Sequence, residues 1–191
     1  AEDYHVWTMA GAKADAHIKL ATGKDYLTQL VAVGDFSGDG KGDFFFRNHN
    51  SGANSVWLLN GTTASSLPST TSLSGSAWQV AAHGDLNGDG RQDVVWRHQS
   101  TGAVRAWLMT GATVSQAGTV TTLADLNWRI QGTGDLDGDG KADLVWRNLA
   151  TGANYVYFMN GIVAASGQAL TTVAGLNWQI QGIGDVSGDG K

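Results

Sequence analysis

Four short acidic segments contain the residues whose types and spacing could do chemistry. Each carries the string Gly-Asp-x-x-Gly-Asp-Gly, which begins at Gly34, Gly84, Gly134 and Gly184. In the third segment, Asp occupies loop positions 1, 3, 5 and 9 and Gly occupies position 6: Asp135, Asp137, Asp139, Asp143 and Gly140. This spacing is typical of loops that bind Ca²⁺ through carboxylates and, at position 7, through a backbone carbonyl.

The donor atoms of these loops favour calcium. They are hard oxygen ligands without Cys or His, which select Ca²⁺ or Mg²⁺ over zinc or copper, and many carboxylates on a flexible loop favour Ca²⁺. At position 7 we expect Lys141 to supply its carbonyl oxygen while its ammonium group points to solvent. The predicted third site consists of Asp135, Asp137, Asp139, the Lys141 carbonyl and Asp143.

The other loops vary the ligand at position 3, and each complete loop is expected to bind one Ca²⁺. The second site would use Asp85, Asn87, Asp89, the Arg91 carbonyl and Asp93. The first would use Asp35, Ser37, Asp39, the Lys41 carbonyl and Asp43. The fourth has Asp185, Ser187 and Asp189 without a closing Asp. Because affinity falls with carboxylate count, we rank the third site first and the fourth last. The alternative, plain Asp-Gly turns, leaves these carboxylates repelling one another.

The elements that must position these loops recur every 50 residues without insertion or deletion, so this is a repeat protein. Each repeat has four short strand-like runs, in the third repeat at 128–134, 143–147, 154–159 and 168–173. Asn160-Gly161 after the third run is a hairpin signal. Four strands per repeat of this length are typical of a propeller blade. The predicted fold is all-β: a β-propeller of four-stranded antiparallel blades, with about four blade equivalents.

The domain prediction follows from the same register. We expect 1–191 to form a single repeat domain: 1–26 the last two strands of a blade, 27–76, 77–126 and 127–173 three complete blades, and 174–191 the first strand and partial calcium loop of a fourth. The two end segments could share one blade, which would lack a strand and expose unpaired edges. A truncated chain, completion by further repeats, or a homo-oligomer would each explain that gap.

The composition limits which classes of partner and which cellular compartment we expect for this chain. Lys and Arg number 12 against 17 Asp and Glu, and the net charge of −5 argues against nucleic acid as a partner. No apolar run approaches the roughly 20 residues of a membrane helix, so membrane insertion is not expected. The first residues are not a basic and then apolar leader, so any signal peptide is expected to be absent already. The absence of Cys excludes disulfides but is compatible with secretion.

Beyond the loops, the aromatic residues and one Arg also recur in register. Aromatic columns such as Trp96 and Trp146 fit core packing, with stacking on a sugar ring as the alternative. An Arg and a polar residue end the second run of each complete repeat. These candidate ligand contacts are Arg47, Asn48, Arg97, His98, Arg147 and Asn148. In the alternative interpretation, the Arg side chains pair with a neighbouring loop or stack on an aromatic ring.

The pattern Gly-Asp-x-[Ser/Asn/Asp]-Gly-Asp-Gly-[Lys/Arg]-x-Asp, followed by an apolar strand ending in Trp-Arg, resembles the FG-GAP/VCBS-type repeat. The resemblance covers essentially the whole chain and implies a calcium-stabilised, typically extracellular β-propeller. Such repeats occur in fungal propeller lectins, integrin α-subunit heads and accessory domains of secreted enzymes. The sequence departs from the pattern at Thr28, where a Trp is expected, and in the incomplete fourth loop.

Catalysis is not expected from the remaining residues. Of the 17 acids, 12 lie in the four loops, and the others are in unrelated columns of the repeat. A glycosidase needs two carboxylates facing across a cleft, and no nucleophile elbow, phosphate loop or zinc-protease motif is present. We therefore predict a non-catalytic, secreted, calcium-stabilised module that binds a glycan or a protein surface, lectin- or adhesin-like. The alternative is a structural propeller that oligomerises or forms the accessory domain of a larger secreted enzyme.

Overall fold

The computed structural model describes residues 4–10, 13–20, 27–61, 63–68 and 71–190. Parts of the segment 1–26, predicted to be the last two strands of a blade, and residue 191 lie outside the described residues. Every regular element in the described ranges is a β-strand. In this part of the chain no helix is long and apolar enough to cross a membrane. The all-β prediction is confirmed.

The strands follow the 50-residue repeat and form three similar sheets. They are β1 Tyr4–Ala10, β2 Lys13–Leu20, β3 Thr28–Gly34, β4 Asp43–Asn48, β5 Asn54–Asn60, β6 Thr63–Pro68, β7 Trp78–Gly84, β8 Asp93–His98, β9 Ala103–Thr110, β10 Thr113–Thr122, β11 Trp128–Gly134, β12 Asp143–Asn148, β13 Asn154–Asn160 and β14 Val163–Leu170. The first, second and third sheets are β3–β6, β7–β10 and β11–β14, each with its four strands in chain order. β1 and β2 form a separate two-stranded sheet.

The three sheets share local irregularities as well as strand order. The register between first and second strands shifts at equivalent places: Leu30/Ala32, Val80/Ala82 and Ile130/Gly132. In the third sheet, Asn160 pairs with Val163 across a two-residue turn, in which Gly161 has a φ of 63°. Gly adopts this left-handed conformation without the steric cost of a Cβ atom. The hairpin predicted from Asn160-Gly161 is therefore confirmed.

The fourth strand of the third repeat starts earlier than predicted. It was expected at 168–173, and the structure places it at Val163–Leu170. The tight turn makes pairing begin at Val163, directly after the third strand. Most side chains of this edge strand are exposed. The alternation of buried and exposed residues that locates a half-buried strand is therefore missing here.

The segment that follows the third sheet also differs from the prediction. Residues 174–191 were expected to begin with a first strand, but 171–190 contain none. A strand exists through its backbone partners: Trp78–Gly84 pairs with Asp93–His98, whereas 174–190 pair with no strand among the described residues. Trp178 is consequently 70% exposed, whereas the equivalent Trp128 is half-buried.

Aromatic side chains fill the cores of two compact units. The first unit comprises 1–76 and 110–113, and the second comprises 77–109 and 114–191. In the second unit the ring centroids of Trp96 and Trp107 are 4.8 Å apart, and those of Trp146 and Tyr157 are 5.6 Å apart. Both pairs lie within the range of favourable edge-to-face contact. Core packing is confirmed for these columns, while the single-domain interpretation of the chain stays a prediction.

Candidate calcium loops

The first Asp of each acidic loop holds the loop in its turned conformation. In the third loop, Oδ1 of Asp135 accepts hydrogen bonds from the amides of Gly138 (2.7 Å) and Asp139 (3.2 Å), and Oδ2 accepts one from Gly140 (2.8 Å). Gly138 and Gly140 have φ values of 82° and 84°, which favour Gly. The Asp-x-x-Gly-Asp-Gly string therefore folds the backbone around its own first carboxylate.

The last Asp of the loop is buried and links the loop to the third strand. Asp143 is 1% exposed; its Oδ2 accepts a hydrogen bond from the Leu136 amide (2.9 Å), and its Oδ1 accepts one from the Met159 amide (3.0 Å). Asp93 contacts the Leu86 and Met109 amides in the same way. The repeated Asp thus links each of the first three loops to the third strand of its sheet.

Three of the four predicted carboxylates of the third loop converge. Oxygen atoms of Asp135, Asp137 and Asp143 lie within 4.8 Å of one another. Each carboxylate offers about four lone-pair positions, so the bonds from backbone amides leave capacity for a cation. Hard oxygen atoms grouped in this way fit Ca²⁺, which takes six to eight such ligands.

The position-7 side chain forms an exposed ion pair with the Asp at position 5. The Lys141 ammonium lies 2.7 Å from Oδ2 of Asp139, and the side chains of Lys41 and Arg91 contact Asp39 and Asp89 likewise. Oδ1 of Asp139 accepts a hydrogen bond from the Lys141 backbone amide, so Oδ2 is the oxygen that contacts the Lys141 ammonium. This contact lowers the pKa of Asp139 and raises that of Lys141.

Carboxylate crowding and burial change the acidity of the last Asp. The pKa of Asp93 is raised to about 7: burial is the largest cause and the negative charges of Asp89 and Asp85 add to it, while two amide hydrogen bonds act in the opposite direction. The pKa of Asp143 is raised for the same reasons, burial first and then Asp137 and Asp139. A divalent cation at these carboxylates would relieve that repulsion, so the electrostatics fit the proposed ion.

The remaining loops keep the backbone arrangement with fewer charged groups. In the first loop Oδ1 of Asp35 accepts the Gly38 amide at 2.6 Å and the Ser37 hydroxyl at 3.2 Å. In the second, the Asn87 amide group donates to Asp89 at 3.3 Å. The fourth loop repeats the amide bonds on Asp185, although no strand follows it among the described residues.

The second loop contacts the third sheet within the second unit. The Ala142 amide donates to the Asp85 carbonyl at 2.6 Å, and the Gly161 amide donates to the Leu86 carbonyl at 2.7 Å. The Thr133 hydroxyl donates to the His83 carbonyl at 2.6 Å. The loop is therefore both a candidate metal site and a contact between neighbouring sheets.

The Arg residues that were singled out as ligand contacts lie in the interior. Arg47, Arg97 and Arg147 are at most 3% exposed. Nη1 of Arg147 donates to the Gly152 carbonyl (3.0 Å) and to Asn154 Oδ1 (3.1 Å), and Nη2 donates to the Val173 and Gly175 carbonyls. The geometry agrees with the alternative interpretation, in which Arg pairs with a neighbouring loop. Their role as ligand contacts stays a prediction without support from the geometry.

The polar residues after these Arg side chains organise turns. Oδ1 of Asn148 accepts the amides of Ala150 (2.9 Å) and Thr151 (3.1 Å), and Asn48 makes the same bonds to residues 50 and 51. Nδ1 of His98 takes this place in the second sheet. Sequence reasoning missed Asn54 and Asn154, which accept from the buried Arg side chains. Their recurrence 50 residues apart was the available signal.

The family model described as FG-GAP-like repeat matches residues 35–96 and again 85–146, so the two matches together span more than half of the chain. Each match runs from one acidic loop into the second strand of the following sheet. No curated protein matches the chain. The chain belongs to the FG-GAP-like repeat family.

Proposed function

We propose that the chain is a non-catalytic, secreted β-propeller module, stabilised by calcium, that binds carbohydrate. The family match and the three similar sheets support the propeller. In the second unit the first strands of neighbouring sheets, β7 and β11, contact each other, as they do around a propeller axis. The chain would then supply three blades of a ring whose remaining blades come from the β1–β2 sheet, further repeats or a second copy.

The convergence of Asp135, Asp137 and Asp143 supports calcium binding at the third loop. Asp139 and the Lys141 carbonyl complete the proposed ligand set, and the equivalent residues serve the first and second loops. One Ca²⁺ per complete loop would lock the turn between the first and second strands of each sheet. Titration calorimetry with Ca²⁺ tests the stoichiometry; absence of binding at micromolar to millimolar Ca²⁺, the range of such loops, would refute it.

An aromatic cavity between the second and third sheets carries the proposal of carbohydrate binding. Trp128, Tyr155 and Tyr157 line it and are only half-buried. Aromatic rings with polar edges suit sugars, which present an apolar ring face beside hydroxyl groups. A glycan array probed with the calcium-loaded chain tests this function, and retention of no glycan would refute it.

A structural role in assembly is the second candidate, and exposed apolar residues favour it. Val186 is 101% exposed, whereas Phe36 and Leu86 at the same loop position are 0% exposed. Trp178 is also exposed. Contact with further repeats or with another copy would cover these side chains. Light scattering of the calcium-loaded chain separates the candidates, because a stable monomer that retains glycans argues against assembly as the main role.

A further inference from the structure

The sequence contains three Asn-Gly pairs, and the fold surrounds them differently. They are Asn60-Gly61, Asn87-Gly88 and Asn160-Gly161. In an Asn-Gly pair the backbone nitrogen of Gly can attack the Asn side chain with little obstruction, because Gly has no Cβ atom. Asn is for this reason a thermolabile residue in proteins. Since the dipeptide is the same in all three places, the surroundings of each pair decide whether it reacts.

The first and third pairs occupy the same kind of hairpin turn. Asn60 pairs with Thr63 and Asn160 pairs with Val163, and the Gly that follows each Asn has a φ of 62° or 63°. Both Asn residues are exposed. Neither the turn geometry nor the exposure of the Asn therefore distinguishes the two pairs.

The contacts of the two Gly residues do distinguish them. Gly161 is buried, its amide donates to the Leu86 carbonyl at 2.7 Å, and a Cβ atom there would lie 3.5 Å from Leu108 of the second sheet. Gly61 is exposed, and a Cβ atom there would have no described atom within 4 Å. Its amide has no backbone acceptor among the described residues. The turn of the first sheet is thus free to bring its Gly nitrogen to the Asn side chain, whereas the turn of the third sheet is anchored.

The second pair is held by hydrogen bonds inside its acidic loop. The amide of Gly88 donates to Oδ1 of Asp85 at 2.7 Å, one of the bonds that keep the loop turned. The Asn87 side chain contacts Asp89 twice: its Oδ1 accepts the Asp89 amide at 3.1 Å, and its Nδ2 lies 3.3 Å from the Asp89 carboxylate. Attack requires these bonds to break, so this pair reacts only through local opening of the loop.

We infer that Asn60 is a site of spontaneous deamidation in the folded protein, whereas Asn87 and Asn160 are protected by the fold. The backbone nitrogen of Gly61 attacks the side-chain carbonyl carbon of Asn60 and forms a cyclic imide. The Cγ–Nδ2 bond breaks, and the side-chain nitrogen leaves as ammonia with the proton lost by the Gly61 amide. Water then adds to either carbonyl of the imide and opens it to Asp or to isoaspartate.

The modified residue would lie directly beside the anchor of the first acidic loop. The amide of Leu59, which precedes Asn60, donates to Oδ1 of Asp43 at 2.9 Å. Both products add a negative charge at the turn, and isoaspartate also routes the backbone through the side-chain methylene group. The reaction would therefore alter the chain next to a residue that is held by a proposed calcium ligand.

Peptide mapping by mass spectrometry tests the inference on the full chain, aged in mildly alkaline buffer with Ca²⁺. Asn60-Gly61-Thr62 also matches the acceptor pattern for N-glycosylation, so the chain is produced in a host without that pathway. In the folded chain, conversion at Asn60 should be at least about tenfold faster than at Asn87 or Asn160. In chain unfolded by urea the three rates should converge, because each Asn precedes a Gly.

Asn60→Thr is the matched variant, because Thr110 occupies the same turn position in the second sheet. It should remove the conversion at this turn and leave the rates at Asn87 and Asn160 unchanged. Equal rates at Asn60 and Asn160 in the folded chain would overturn the inference, as would conversion at Asn60 that occurs only in urea. A folded chain in which Asn87 reacts fastest would overturn it as well.

Discussion

The buried carboxylate of Asp143 accepts a hydrogen bond of 3.0 Å from the backbone amide of Met159, the penultimate residue of β13. The same carboxylate holds the Leu136 amide inside the acidic loop. One side chain therefore fixes the loop relative to the hairpin, whether or not it also binds a cation. This double role separates the last Asp of the loop from the exposed acids at the middle positions.

Asp143→Ala should destabilise the protein even in a calcium chelator, because the buried Met159 amide and the part-buried Leu136 amide lose their acceptor. We expect a loss of about 2–4 kcal/mol in the free energy of unfolding, measured by urea denaturation. Asp137→Asn is the matched control: Asp137 is exposed, so its change should leave stability in chelator within about 0.5 kcal/mol. It should nevertheless weaken calcium binding at the third loop. Equal stability losses would contradict this division of roles.

Removal of calcium should lower the melting temperature of the chain. A ligand that binds only the folded state adds RT ln(1 + [L]/Kd), about 2.7 kcal/mol per site at a hundredfold excess over Kd. Thermal melts in Ca²⁺, in Mg²⁺ and in chelator measure the effect. Ca²⁺ should restore the melting temperature and Mg²⁺ should restore less, because Mg²⁺ dehydrates reluctantly. Identical melts in all three solutions would speak against metal loops.

The raised pKa of Asp93 predicts the pH dependence of the calcium-free protein. Because the folded-state value of about 7 exceeds the ordinary value of 3.8, the folded state binds the proton more tightly than the unfolded state. The free energy of unfolding in chelator should therefore fall as pH rises from about 4 to about 7. Asp93→Asn should flatten this slope in urea denaturation measured across that range. A stability that rises over the window in the parent chain but not in Asp93→Asn would contradict the prediction.

Replacing Arg147 and Arg97, two of the three buried Arg residues, by Lys should have unequal effects. Arg147 donates to Gly152, Asn154, Val173 and Gly175, a set that one ammonium group cannot reach. Arg147→Lys should cost about 2–4 kcal/mol of stability. Arg97→Lys should cost about half as much or less, because Nε and Nη1 of Arg97 have no partner among the described residues. Urea denaturation of both variants measures the two losses of stability. A larger loss for Arg97→Lys than for Arg147→Lys would contradict the prediction.

Two Gly residues with similar φ should respond differently to Ala. Gly152 has a φ of 74°, and a Cβ there would overlap the Val173 carbonyl oxygen. Gly140 has a φ of 84°, and a Cβ there would have no atom within 4 Å. Gly140→Ala should cost about 1–2 kcal/mol, the price of the left-handed conformation alone. Gly152→Ala should cost at least about 2 kcal/mol more, since the backbone must also move. Thermal melts with similar shifts for both variants would refute the steric account.

The acidic loops and most strands were predictable because they depend on short-range chemistry. Asp135 folds its loop through amides three to five residues away, and Asn160-Gly161 sets its hairpin locally. The edge strand β14 was placed too late because its exposed side chains follow no pattern, and its start depends on the turn before it. Local chemistry is visible in a sequence, whereas an exposed edge carries no such signal.

The buried Arg residues show which of two interpretations left open by the sequence the structure favours: pairing with a neighbouring loop. An Arg at the end of a strand is usually a surface residue, and only the structure shows Arg147 among carbonyls 26 and 28 residues away. The cavity beside Trp146 was equally hidden, because its walls come from segments that meet only in the folded chain. Both depend on long-range contacts, which the repeat pattern alone does not define.

The hydrogen bonds from Ala142 and Gly161 to the second acidic loop also couple the opening of that loop to the stability of the third sheet. If that loop opens, the third sheet loses two of its backbone anchors at the same moment. Opening of the second loop should therefore weaken the third sheet as well as the second. A protease that cuts the second acidic loop when it is open would therefore free the third sheet from these contacts as well. Keeping that loop closed against proteolysis thus preserves the third sheet in addition to the second.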